Sequence, residues 1–132
     1  MTYEERKAQV YSYLGKTVEM EIDRPIGYVH EKNGHHWQYP INYGFLPGVI
    51  GGDGEELDVY LLGVDTPVER YIARVIGIVH REDDDEDKLI AAPDGCCHTA
   101  EEMAAAVAFQ EQYHISHVEA WQATETTKNG KV

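Results

Sequence analysis

Cations are what this 132-residue chain has least of: Lys and Arg number 11 against 24 Asp and Glu, for a formal net charge of -13. Nucleic-acid binding rests on Lys and Arg neutralising phosphates, and anionic membrane surfaces attract the same residues, so neither is an expected partner. Long apolar runs are also missing. None approaches the ~20 residues of a membrane span, and the N-terminus MTYEERKAQV lacks the apolar stretch of a secretory signal. A cytoplasmic location is therefore the expectation. Cysteine is nearly absent, and its two copies, Cys96 and Cys97, are adjacent. A bond between neighbours is strained and no disulfide framework is possible, which fits a reducing compartment. No spaced Cys or His pair completes a metal-ligand set around them. What a surplus of acid does suit is a multivalent cation, although most single acids read as a solvated coat.

What is present is a folding composition. Apolar residues make up 42% of the chain, with nine tyrosines among them, and the length suits one domain over residues 1–132. Thr2 and Glu5 read as a capping box opening a short N-terminal helix within residues 1–15, with Tyr3, Val10 and Leu14 on one face. Short strand-like pieces follow: Thr17 to Ile22, Tyr28 to His30, a stretch around Trp37, Asp58 to Leu62, the long Val68 to His80, and Lys88 to Ala92. Pro93-Asp94-Gly95 makes a turn, and Thr99 with Glu102 forms a second capping box. Met103, Val107, Gln110 and Tyr113 then recur at helical spacing, with Ala106 and Phe109 beside them. Ile115 to Trp121 reads as a last strand, and residues 123–132 as a polar, flexible tail. Short strands followed by a helix predict an α+β, mainly β fold: a small closed OB-like β-barrel with a long C-terminal helix packed on it and a short N-terminal helix.

The chemistry concentrates in Gly51-Gly52-Asp53-Gly54-Glu55-Glu56-Leu57-Asp58, where four acids crowd the mouth of the apolar strand Val59 to Leu62. Glycines let the backbone turn while Leu57 and Val59 anchor it, so Asp53, Glu55 and Asp58 can converge. Carboxylates a few Å apart do not all ionise cheaply unless a cation sits between them, and Mg2+ is a hard ion that takes such oxygen ligands. An EF-hand calcium loop would need Gly at its sixth position, where Asp58 stands. An ordinary exposed acidic turn fits these residues too. A second run, Glu82 to Asp87, precedes Lys88. Alone it reads as a solvated loop. If Val75 to His80 ran beside Val59 to Leu62, both acidic clusters would rim one barrel mouth and make a two-metal site.

Tyr39-Pro40-Ile41-Asn42-Tyr43-Gly44-Phe45-Leu46-Pro47, followed by Asp53-Gly54-Glu55-Glu56-Leu57-Asp58-Val59, resembles the soluble (family I) inorganic pyrophosphatases in order and spacing. The likeness continues through Lys88-Leu89-Ile90-Ala91-Ala92-Pro93 to Val118-Glu119-Ala120-Trp121. It implies magnesium-dependent hydrolysis of pyrophosphate by a metal-activated water, in a chain that assembles with copies of itself. By the resemblance Asp53, Asp58 and Asp83 are metal ligands, joined by Glu86 or Asp87 and by Glu21 on the first strand. Glu55 stands where the family's middle aspartate orients or deprotonates the water. Lys88 corresponds to a phosphate-binding lysine, and Tyr43 and Tyr113 to phosphate-contacting hydroxyls.

The departures fall on the phosphate side. Glu55 is one methylene longer than the family's aspartate, and Glu56 replaces its proline. Gly27 stands where a lysine is expected, and His114 replaces the lysine after Tyr113. Arg24, Lys32, His30, His35 and His36 are the residues that can restore positive charge. Fewer cations mean weaker stabilisation of a highly charged anion. Two alternatives follow: hydrolysis of a less charged phosphoanhydride or phosphoester on the same scaffold, or a non-catalytic relative that binds metal or phosphate.

Overall fold

The computed structural model describes residues 1–122, so the tail expected over 123–132 lies outside the described residues. Helix α1 (Tyr3–Tyr13) opens on Thr2, whose side chain accepts from the Glu5 amide while the Glu5 carboxylate accepts from the Thr2 amide. The strands that follow are β1 (Thr17–Arg24), β2 (Val29–Lys32), β3 (His35–Gln38), β4 (Asn42–Ile50), β5 (Glu56–Leu61), β6 (Arg70–Arg81) and β7 (Lys88–Ala92). Helix α2 (Ala100–Glu111), capped in the same way by Thr99 and Glu102, precedes β8 (Ser116–Ala120).

Five strands close a ring in the order β1-β4-β5-β7-β6 and back to β1, while β8 extends β6 and β2 with β3 form a separate hairpin. Every neighbouring pair is antiparallel except β5 and β7, where Val59 lies across from Leu89. A strand held between two neighbours and covered on both faces reads as an unbroken apolar run, and all five residues of β7 are buried.

Successive residues of β5 and β7 serve two cores. Leu57, Val59, Leu61, Leu89 and Ala91 share one cluster with Met20, Leu46, Val75 and Val10 of α1, whereas Tyr60, Leu62, Ile90 and Ala92 join Met103 and Val107 of α2. The first cluster fills the barrel and α1 closes its end; the second lies on the barrel's outer face beneath α2. Gly77 lets that helix approach, since a Cβ there would come within 2.7 Å of the Met103 sulfur. The mainly β, OB-like barrel with two helices is the fold expected from the pattern.

Three expectations change in detail. The Tyr39–Pro47 run lies largely in β4, a strand that its Gly and Pro content hides; Pro47 is accommodated where the β4–β5 register shifts between Phe45 and Ile50. β6 does not run beside β5, because β7 lies between them. The two acidic segments still share one end of the barrel, since β5 and β7 start there and β6 finishes there, with Val79 across from Lys88. Finally, α2 stops at Glu111, so Tyr113 lies beyond it and is 62% exposed.

Candidate active site

Parallel pairing of β5 and β7 sets Asp58 and Lys88 at adjacent strand starts. The Lys88 ammonium, only 2% exposed, donates to the Asp58 carboxylate at 2.8 Å, to Glu86 at 2.9 Å and to the Tyr43 hydroxyl at 2.5 Å. Tyr43 reaches the same place from β4 and donates to the same Asp58 oxygen at 2.6 Å. Burial alone would favour the neutral amine, but Asp58, Tyr60 and Glu86 outweigh it and hold Lys88 above its ordinary value. The Tyr43 phenol is pushed well above its ordinary value, by burial first and then by the Asp58 charge. Asp58, Tyr43 and Lys88 thus form one hydrogen-bonded unit.

A buried polar chain stands behind this unit. Arg24 donates to the Tyr39 hydroxyl at 2.6 Å, and Tyr39 donates to Gln110. Gln110 donates to the Tyr60 hydroxyl at 2.8 Å, which donates to Glu111 at 2.6 Å. Arg81 grips both Glu111 oxygens at 2.8 Å and reaches Asp84 at 2.9 Å. Burial would raise the Glu111 pKa, yet the Arg81 and Tyr60 hydrogen bonds hold it below the ordinary value. Asp84 is lowered likewise: burial opposes, while the Glu86 amide and Arg81 prevail.

The remaining candidates take distinct places. Asp53 and Glu55 are exposed on the turn before β5, where an Asp53 oxygen accepts the Glu55 amide at 3.0 Å. Glu21 lies on β1 across from Phe45. Asp87 is buried, accepts the Arg81 amide at 2.8 Å and is paired with Arg6 at 3.0 Å and Lys7 at 2.9 Å, which makes it an anchor of the acidic loop. Glu86 faces Lys88. His114 lies 3.2 Å from Asp83 and 3.6 Å from Asp84. Among the described residues, Asp83, Asp84 and His114 are the group whose possible ligand atoms all fall within 4.8 Å of one another. Asp53, Glu55 and Asp58 are not gathered that tightly, since Lys88 already supplies the cation beside Asp58.

Two features escaped the sequence reading. Asp23 on β1 keeps an exposed side chain, yet partial desolvation first of all raises its carboxyl, which also feels Arg24, Asp58 and Lys88; the family pattern marks Glu21 on the same strand. Arg81 and Glu111 are 30 residues apart and carry no local motif. Arg81's place against the acidic run was the one available signal.

Comparison with known proteins agrees on one kind of relative. The family model described as inorganic pyrophosphatase matches residues 12–131. The inorganic pyrophosphatase of Neisseria meningitidis serogroup B is 33% identical over 100 residues, 67% of this chain and 56% of that protein. That of Saccharolobus solfataricus is 44% identical over 62 residues, 42% of this chain and 34% of that protein. The chain spans about half the length of the curated relatives it matches first. Among solved structures, the inorganic pyrophosphatase of Ehrlichia chaffeensis superposes with a TM-score of 0.60 at 18% identity, over 82% of this chain and 88% of that one. That of Coxiella burnetii gives 0.57 at 22% identity, over 80% and 85%. At these identities the structural likeness speaks for the fold.

Proposed function

Because the chain belongs to the inorganic pyrophosphatase family, we propose that it hydrolyses inorganic pyrophosphate to two phosphates at the barrel mouth formed by Tyr43, Asp58, Lys88 and the loop from Glu82 to Asp87. The observation that carries the proposal is the Tyr43–Asp58–Lys88 unit, with Tyr43 and Lys88 buried and Asp58 a quarter exposed, standing at the same barrel end as a group able to ligate a cation.

The donor set fits a divalent metal. Asp83 and Asp84 offer oxygens and His114 a nitrogen, with Asp53, Asp58, Glu86 and Glu21 as further oxygen donors from the same family pattern. Magnesium, when bound, supplies polarisation of phosphoryl oxygen and acidification of water. The chain's own residues do the rest. Lys88 puts a fixed positive charge in a low-dielectric place where phosphoryl charge develops. Tyr43 presents a phenol that stays protonated and, by donating to Asp58, holds that carboxylate beside Lys88. Asp58 orients both. Glu55, exposed on the turn before β5, takes the water proton in this reading, as the family pattern implies.

In the reaction the water oxygen forms a bond to one phosphorus, the bridging P–O bond breaks with its electron pair going to the leaving phosphate, and each product carries one of the two water protons. Arg24 is the cation left to meet the substrate's outer oxygens, together with the Tyr113 hydroxyl, while His114 stands with the metal. A cytoplasmic setting and assembly into homo-oligomers complete the proposal; among the described residues no helix is long and apolar enough to cross a membrane.

Phosphate release from pyrophosphate, with and without Mg2+, is the test. The wild type is expected to turn over only with metal, and Asp58→Asn to lose at least about 100-fold in rate, some 2.7 kcal/mol of barrier. A wild type inert with Mg2+ leaves the reading of a non-catalytic metal or phosphate binder, for which metal-binding calorimetry is decisive.

A further inference from the structure

Helix α1 reaches both acidic segments of the barrel mouth. Arg6 and Val10, four residues apart and so on one face of the helix, are its buried members. Val10 is sunk in the barrel core, which fixes the helix in place. From that platform the Arg6 guanidinium divides its donors: Nε reaches the buried Asp87 carboxylate at 3.0 Å, and Nη1 reaches Asp85 at 2.8 Å. Lys7 adds a second hold on Asp87 at 2.9 Å. These contacts pin the loop from Glu82 to Asp87.

The same helix holds the other segment. Gln9 donates to the Ile50 carbonyl at 2.7 Å, where β4 ends. Gly52 packs against the Arg6 stem and the Asp85 backbone together: a Cβ there would come within 2.6 Å of Arg6 Cδ and 2.6 Å of the Asp85 carbonyl oxygen. Gly52 precedes Asp53 in a turn closed by the Gly51 amide, which donates to the Glu55 carbonyl at 2.7 Å. Arg6 is thus wedged between the turn that carries Asp53 and Glu55 and the loop that carries Asp83 and Asp84. Arg6, Lys7 and Gln9 all precede residues 12–131, the part matched by the family model.

We propose that Arg6 is a positioning residue for the divalent cation of the mouth, setting the spacing between the two carboxylate segments from a helix outside the family pattern. The proposal rests on the metal-dependent hydrolase reading of this site. Arg6 acts through the carboxylates it holds: with Asp85 and Asp87 tied down, the neighbouring Asp83 and Asp84 are presented from a fixed loop, and Gly52 keeps the Asp53 turn against it. Groups that orient metal ligands in this way carry roughly 10- to 100-fold in metal affinity. Charge alone argues the opposite sign. Removing a cation beside a cation site, and freeing two carboxylates, lowers the repulsion on Mg2+ and tightens its binding.

The two signs are separated by calorimetric titration with MgCl2 at constant ionic strength, without substrate. Arg6→Met keeps an unbranched apolar stem and removes the donors; its dissociation constant for Mg2+ is expected to rise about 10-fold. Gly52→Ala changes no charge and drives the turn away from Arg6 and Asp85, so it should weaken Mg2+ binding in the same direction. Val10→Ala loosens the same helix from the core but leaves the Arg6 ion pairs, and should melt lower while keeping the wild-type affinity for Mg2+. Unchanged or tighter binding by Arg6→Met overturns the proposal, as does an equal loss in Val10→Ala, which would make the effect one of helix stability. Circular dichroism confirms that each variant is folded, and Gly52→Ala decides by the same criterion if Arg6→Met is not. Failure of the hydrolase reading shows separately, as a wild type that releases no phosphate from pyrophosphate with Mg2+ while the loss of Mg2+ affinity in Arg6→Met persists.

Discussion

At Lys88 a buried ammonium meets two carboxylates and a phenol, and removing it leaves Asp58 and Glu86 facing each other with no cation between them. The carboxylates left behind are 25% and 35% exposed and so partly hydrated, and losing the charge-assisted hydrogen bonds costs about 1.5–3 kcal/mol. Lys88→Met is therefore expected to lower stability by that order in urea titrations and to reduce pyrophosphate hydrolysis by at least about 100-fold. Retained activity in a folded Lys88→Met protein would remove Lys88 from the proposed mechanism. Glu111 makes a prediction about acid. Its carboxyl is held below the ordinary value of 4.5 despite burial, because Arg81 grips it with two hydrogen bonds and Tyr60 adds a third. A carboxyl depressed in the folded state contributes stability that is complete above its unfolded value and is lost as pH falls through the folded one. Thermal melts should therefore hold from neutrality down to about pH 4.5 and drop below it. Glu111→Gln should melt lower at pH 7 and show a shallower drop in acid; an unchanged acid slope would assign the loss to other carboxylates.

At the scale of elements, barrel closure depends on how nearly β1 and β4 approach. A Cβ on Gly44 would lie 1.7 Å from the Glu21 carbonyl oxygen, and the clash is with backbone, which has nowhere to turn. Gly44→Ala is expected to prevent folding or to yield a protein without a cooperative melt. Helix α1 has a different duty. It starts before the residues matched by the family model, yet Arg6 reaches across 81 positions to the buried Asp87 and also holds Asp85. Arg6→Ala should cost about 3 kcal/mol in urea titration and, by loosening the loop that carries Asp83 and Asp84, reduce activity further than global unfolding explains.

These elements differ in how legible they were beforehand. Both capping boxes are local chemistry and could be read directly, and β5 and β7 announce themselves as apolar runs. β4 could not be read, because glycine and proline obscure a strand that a register shift makes possible. Nor could the insertion of β7 between β5 and β6, since parallel pairing leaves no local mark. Around the candidate site, the family pattern singled out Tyr43, Asp58 and Lys88, which the fold brings into hydrogen-bond contact. The pairs that fix their surroundings, Arg81 with Glu111 and Arg6 with Asp87, join distant positions and emerge only from the fold.

For the whole molecule, a charge of -13 on 132 residues means that folding concentrates like charges. The structure places several of them in one loop at one barrel end, where Arg6, Lys7, Arg81 and Lys88 offset only part of the repulsion. Monovalent salt acts on the general term by screening over a Debye length of about 10 Å at 0.1 M, so NaCl should raise the melting temperature gradually. A divalent cation that seats on Asp83, Asp84 and His114 acts differently, because it binds the folded state and adds RT ln(1 + [L]/Kd), about 2.7 kcal/mol at 100 times the dissociation constant. For a domain of this size that amounts to roughly 5–15 °C. MgCl2 should therefore raise the melting temperature well beyond NaCl at equal ionic strength, EDTA should reverse the difference, and Asp83→Asn should abolish it while keeping the NaCl response. Superimposable MgCl2 and NaCl curves at matched ionic strength would mean that the acidic loop only feels bulk screening, and the cation would have to be sought at Asp53 and Asp58 instead.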